Sequence, residues 1–213
     1  MESQVRGGTR WKRFAVVMVP SVAAAAAVGV GLAQGALAAS FSVSGQQFKV
    51  SADELHGKGF AQYGGIDTVY KQVDGKEKTQ VPVAISSFDD ATITKMCQSV
   101  KTTIPVINKT FYLRLDAGGG DTPVAAHNLY IDVADLQANA EFHNIDIGVA
   151  VKDKTRGPAV KDGENVLPGG FAQQAESADL YDVKQTAWAT TAGTFKLSGL
   201  SMKLGADPKM ECY

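Results

Sequence analysis

The stretch NLYIDVADLQANAEFHNIDIGVAV, residues 128–151, decides the fold. Leu129, Ile131 and Val133 are apolar at odd positions; Leu136, Ala138, Ala140 and Phe142 follow at even ones; Ile145, Ile147, Val149 and Val151 return to odd. Strict alternation marks a strand with one buried face, because successive side chains point to opposite sides. A one-residue slip turns each new apolar set outward unless the backbone bulges or turns at Ala134-Asp135 and at His143-Asn144.

The same signature extends in both directions. In QTAWATTAGTFKLSGLSMKL, residues 185–204, Phe195 and Leu197 stand at odd positions and Leu200, Met202 and Leu204 at even ones. The change falls at Ser198-Gly199, where glycine can take the positive φ of a tight corner. Earlier runs are Phe41 and Val43; Phe48, Val50 and Ala52; Val81, Val83 and Ile85; and Phe111, Leu113 and Leu115. The expected class is all-β: a single domain of short, mostly antiparallel strands forming a sandwich, a barrel or a curved, groove-forming sheet. A β-solenoid is the second choice, weakened by the lack of a strict repeat. One short helix is expected over Ser87–Val100, with Ser87 as cap and Asp89-Asp90 in its first turn, against a strand favoured by Thr92-Ile93-Thr94. DAGGGDTP (116–123) and KDKTRGPAVKDGENVLPGG (152–170) have no periodicity and read as exposed connections, the second long enough for a lid.

The chain ends carry a different message. Arg6, Arg10, Lys12 and Arg13 precede an uncharged run from Phe14 to Ala33, and Ala36-Leu37-Ala38 supplies small residues for cleavage before Ala39. Residues 1–38 therefore read as a secretory signal peptide, with a retained membrane segment as the alternative. Residues 39–213 form the exported β-rich domain, placed outside the cell or in the cell envelope. With those four basic residues set aside, 17 of the 21 Lys and Arg remain; without Glu2, 21 of the 22 Asp and Glu do. A mildly acidic domain is a poor partner for nucleic acid. Its two cysteines, Cys97 and Cys212, are expected to form a disulfide in an oxidising compartment.

Signals for chemistry are sparse. GxSxG does not occur, and His56, His127 and His143 are dispersed beside turn residues, so no catalytic residue is assigned. The acidic pairs lack the spacing of a calcium loop and the cysteines that of a zinc site, so neither a metal nor a cofactor is expected. Apolar residues remain. Phe60, Tyr63, Trp188 and Met202 are core residues in the first instance, and contacts for a lipid or other hydrophobic small molecule if the sheet curves without closing.

SFSVSGQQFKVSADELHGKGFAQYGG (40–65), EFHNIDIG (141–148), GGFAQQAES (169–177) and QTAWATTAGTFKLSGLSMKL (185–204) resemble segments of an exported actinobacterial, Streptomyces-type, family of unknown function. The resemblance spans nearly all of the domain. It implies a signal segment, two cysteines and, as partner, a small multi-helix membrane protein encoded nearby. Some members carry the automatic label "cholesterol esterase", and no catalytic residues transfer from the family. The expected function is a secreted or envelope-associated, non-catalytic protein that binds a hydrophobic ligand or a membrane-protein partner. The alternatives are an ester hydrolase and a structural envelope protein that assembles through its strand edges.

Overall fold

The structure, a computed structural model, describes residues 44–71, 76–104 and 106–213. The segment read as a signal peptide or anchor, and the run at Phe41 and Val43, lie outside the described residues. Among the described residues nine strands make one antiparallel sheet: β1 (Phe48–Tyr70), β2 (Lys78–Thr94), β3 (Met96–Ile104), β4 (Lys109–Ala117), β5 (Val124–His143), β6 (Asp146–Ala150), β7 (Asn165–Val166), β8 (Phe171–Lys196) and β9 (Ser201–Gly205). The all-β, antiparallel class read from the alternation is the class the chain adopts. Its main strands are long, from 17 to 26 residues in β1, β2, β5 and β8.

Strands of that length must bend, and the parity slips show where they do. At Ala134 the pairing of β5 with β8 shifts register, from Val133 opposite Ala187 to Asp135 opposite Thr186, so this slip is a bulge inside a strand. At Asn144 (φ 53°) and Gly199 (φ 66°) the slips are turns, leading into β6 and β9. β2 and β3 act as one strand kinked at Lys95 (φ 47°), because β1 pairs with both in a single register, Glu54 opposite Thr94 and Phe48 opposite Val100.

β1 pairs with β2, β2 with β5, β5 with β8, and β8 returns to β1 through Val183–Ala187 against Phe48–Ala52. The four strands thus close a ring. Inside it lie Val50, Leu55 and Phe60 of β1, Phe88 and Ile93 of β2, Leu129, Ile131 and Val133 of β5, and Leu180 and Val183 of β8. The helix expected over Ser87–Val100 does not form. Phe88, Ala91 and Ile93 face this core, and the segment pairs with β1 on one edge and β5 on the other, which decides the choice that its β-branched residues left open.

A second apolar layer covers the outer face of the ring. Tyr63, Val83, Ile85, Tyr130 and Ala172 are buried there beneath Val151, Val160 and Val166, which belong to the long connection after β6. That connection is a strap packed on the sheet. At the opposite end, β4 and β9 extend the sheet beyond β3, and the C-terminal tail is held to β3 by the expected disulfide between Cys97 and Cys212, whose Cα atoms are 5.9 Å apart. Among the described residues no helix is long and apolar enough to cross a membrane.

Candidate functional site

Past Val133, β5 no longer pairs with β2 and keeps only β8 as neighbour. The inward residues of this β5–β8 arm therefore face an interior that is not fully filled. Leu136, Ala138, Ala140 and Phe142 of β5 and Leu180 and Val183 of β8 line a cavity of about 160 Å³ opposite Leu55, Phe60 and Phe88. Phe60 is its central wall, its ring centroid 5.4 Å from that of Phe88 and 5.1 Å from that of Phe142. Ala138 is half-buried and Ala140 exposed, so the mouth lies along the part of β5 that lacks a second neighbour.

Three neutral polar residues interrupt this lining: Gln62, Ser86 and Gln185. Gln173 Nε2 donates to Gln62 Oε1 at 2.7 Å, and Gln62 Nε2 donates to Ser86 Oγ at 2.8 Å. Gln185 lies on the inner face between Val183 and Ala187 and is 6% exposed. Its carboxamide has no hydrogen-bond partner among the described residues. None of the lining residues carries a charge. Such a surface suits an uncharged, largely apolar molecule.

The residues singled out in the sequence fall in different places. Phe60 lines the cavity. Tyr63 is buried in the outer layer, where its hydroxyl donates to Glu164 Oε2 at 3.1 Å. Trp188 is the extra residue of a second bulge, between Ala187 opposite Val133 and Ala189 opposite Asp132, and packs against the outer layer. Met202 is exposed on edge strand β9. The structure brings Phe60 together with Phe88, Leu136, Phe142 and Gln185 instead. Gln185 had a visible signal, a polar residue occupying an apolar parity between Val183 and Ala187.

The histidines have partners that their spacing concealed. Asp179 Oδ1 meets His56 Nδ1, and its Oδ2 lies 3.1 Å from His143 Nε2; the hydrogen bond from His56 is the main reason its carboxyl is held below the usual range. His127 Nδ1 lies 3.0 Å from Asp90 Oδ1. None of the three lines the cavity. Among the described residues no three His, Cys, Asp or Glu are grouped to hold a metal ion.

A cluster of ionisable groups anchors the strap. Lys161 Nζ lies 3.0 Å from Glu164 Oε1 and 4.0 Å from Asp132 Oδ2, and 5.0 Å from the Tyr130 ring centroid. Asp132 is buried, and its Oδ1 has no hydrogen-bond partner among the described residues. Burial drives its pKa up to about 6 despite the opposing pull of Lys161, and burial likewise raises those of Asp67 and Tyr63. Tyr130 completes the anchor by donating from its hydroxyl to the Ala159 carbonyl at 2.7 Å. These groups join strap to ring and lie outside the cavity.

Residues 44–213 match a family of unknown function. The chain belongs to the DUF6230 family. No curated protein matches this DUF6230 chain, and no solved structure does.

Proposed function

We propose that this DUF6230 protein is a secreted or envelope-associated, non-catalytic binding protein whose ligand is a neutral hydrophobic molecule held in the cavity at Phe60. The observation that carries this reading is the cavity itself: apolar walls from Leu55, Phe60, Phe88, Leu136, Phe142 and Leu180, and no charged lining residue. An engineered apolar cavity of roughly 150 Å³ takes up benzene. A space of about 160 Å³ therefore suits a portion of some six carbons, with the rest of a longer ligand emerging past Ala138 and Ala140. Ile66, Leu167 and Phe171, exposed around one shallow groove, support association with the envelope.

Titration with the neutral fluorophore Nile red tests the reading. Wild-type protein is expected to bind it saturably, and Ala138→Trp, which fills the mouth, to weaken binding at least tenfold with an unchanged far-UV spectrum. Equal affinity in both proteins would overturn the assignment. Hydrolysis of a short-chain chromogenic ester that disappears in Ser86→Ala would instead favour the esterase alternative.

A further inference from the structure

We infer that Gln185 and Ser86 form a polar end to the cavity that selects a ligand bearing one neutral oxygen, a hydroxyl or a carbonyl, and rejects one bearing a carboxylate. The inference rests on the binding reading above and adds to it the chemistry of the ligand's head.

The starting point is a residue that packing does not explain. On the inner face of β8, Val183 and Ala187 flank Gln185, and a leucine there would continue the apolar wall. Gln185 is instead a buried residue whose carboxamide opens on the cavity and has no protein partner among the described residues. An amide that faces a cavity with no protein partner depends on whatever fills that cavity, water or a bound molecule, for its hydrogen bonds. Such a group is stabilised when a bound molecule supplies the missing partner.

Ser86 adds direction. Its Oγ already accepts from Gln62, and Gln62 is itself fixed by Gln173, so Ser86 cannot turn toward that neighbour to donate. Its own proton has no acceptor among the described residues and is left for the cavity it lines. The polar end therefore offers the Ser86 O–H and the Gln185 NH₂ as donors and the Gln185 Oε1 as an acceptor. A hydroxyl satisfies both kinds of group, and a carbonyl satisfies the donors.

A carboxylate meets the same donors but brings a full charge to a site whose lining contains no Lys, Arg or His. Burying an unpaired charge costs far more than two neutral hydrogen bonds return. The site therefore discriminates by charge and not by chain length. Single-headed neutral lipids, long-chain alcohols above all, fit; free fatty acids at neutral pH do not.

Displacement of Nile red by 1-octanol, octanoate and 1-chlorooctane at pH 8 tests this. Octanol is expected to compete at least tenfold more tightly than octanoate. Gln185→Leu should weaken octanol five- to tenfold, leave chlorooctane unchanged or tighter, and unfold at a temperature no lower than wild type. Ser86→Ala should weaken octanol in the same direction. Equal competition by octanol and octanoate, or an octanol affinity indifferent to both substitutions, would overturn the inference while leaving the hydrophobic site intact. Failure of Nile red and of all three octyl compounds to bind would remove the site, and the inference with it.

Discussion

Gly57 shows how one missing side chain shapes the cavity. A Cβ built at this position of β1 would lie 2.1 Å from Phe88 Cδ1, so the Phe88 ring occupies the space that any other residue would take. Gly57→Ala must push that ring, and the ring lines the cavity. The expected outcome is a loss of about 1–3 kcal/mol of stability, as for other overpacked cores, together with loss of Nile red binding. Gly64→Ala is the control: nothing lies within 4 Å of its added Cβ, and alanine suits a strand better than glycine. Urea unfolding with binding measured on the same samples checks both. At this scale the sequence was partly legible. Phe60 and Tyr63 read alike as core residues or ligand contacts, and the sequence could not distinguish a face turned to a cavity from one turned to the outer layer, where Tyr63 lies. One apolar residue in three letters looks the same in either place.

The strap from Val151 to Gly170 is the element whose behaviour depends on pH. Asp132 beneath it has its pKa raised to about 6 from an ordinary value near 3.8, first by burial and then by the neighbouring Asp67 and Glu164, while Lys161 opposes the rise. A carboxyl that holds its proton more tightly when folded stabilises the fold fully below its unfolded pKa. That contribution is lost as the pH climbs through 6. Asp67, also raised by burial, works in the same sense. Stability is therefore expected to fall by on the order of 2–3 kcal/mol between pH 4.5 and pH 7, with the strap loosening first. Asp132→Asn should flatten this slope. Urea midpoints at half-unit intervals of pH decide the matter, and an equal slope in both proteins would show that Asp132 is not the group responsible. The strap's packing was illegible in the sequence because, past Val151 at the end of an alternating run, its contact residues Val160 and Val166 follow no period; they touch the sheet at separate points along an irregular path. The parity slips were legible as events but not as kinds. A bulge at Ala134 and a turn at Asn144 both disturb the alternation within a few residues, and only the partner strand tells them apart.

For the whole molecule, the ring closes where Phe48–Ala52 of β1 meets Val183–Ala187 of β8, and alternation along either segment gives no hint of the partner. The same length of β1 is paired on its other edge with β3, placing Cys97 opposite Ser51, so the disulfide sits beside the closure. Through it the last three residues are laid across the seam. Lys49 Nζ lies 2.6 Å from Glu211 Oε2, the Cys212 amide donates to Ser99 Oγ at 3.1 Å, and Lys49 and Lys184 approach the Tyr213 ring at 5.1 and 5.9 Å from its centroid. Two effects of breaking the bridge can then be separated. Restraint of the unfolded chain across a separation of 115 residues is worth up to about 4.7 kcal/mol and disappears on reduction wherever the tail lies. The tail's own contacts are partly exposed, and such ion pairs contribute about 1 kcal/mol or less each. Reduction, or Cys97→Ser with Cys212→Ser, is expected to lower the melting temperature by roughly 10 °C for a domain of this size. Lys49→Ala should lower it by only a few degrees. Scanning calorimetry with and without reductant distinguishes the terms: a Lys49→Ala loss as large as that of the double serine variant would place the stabilisation in the tail's contacts on the seam, and an unchanged transition on reduction would deny the bridge any part in holding the ring closed.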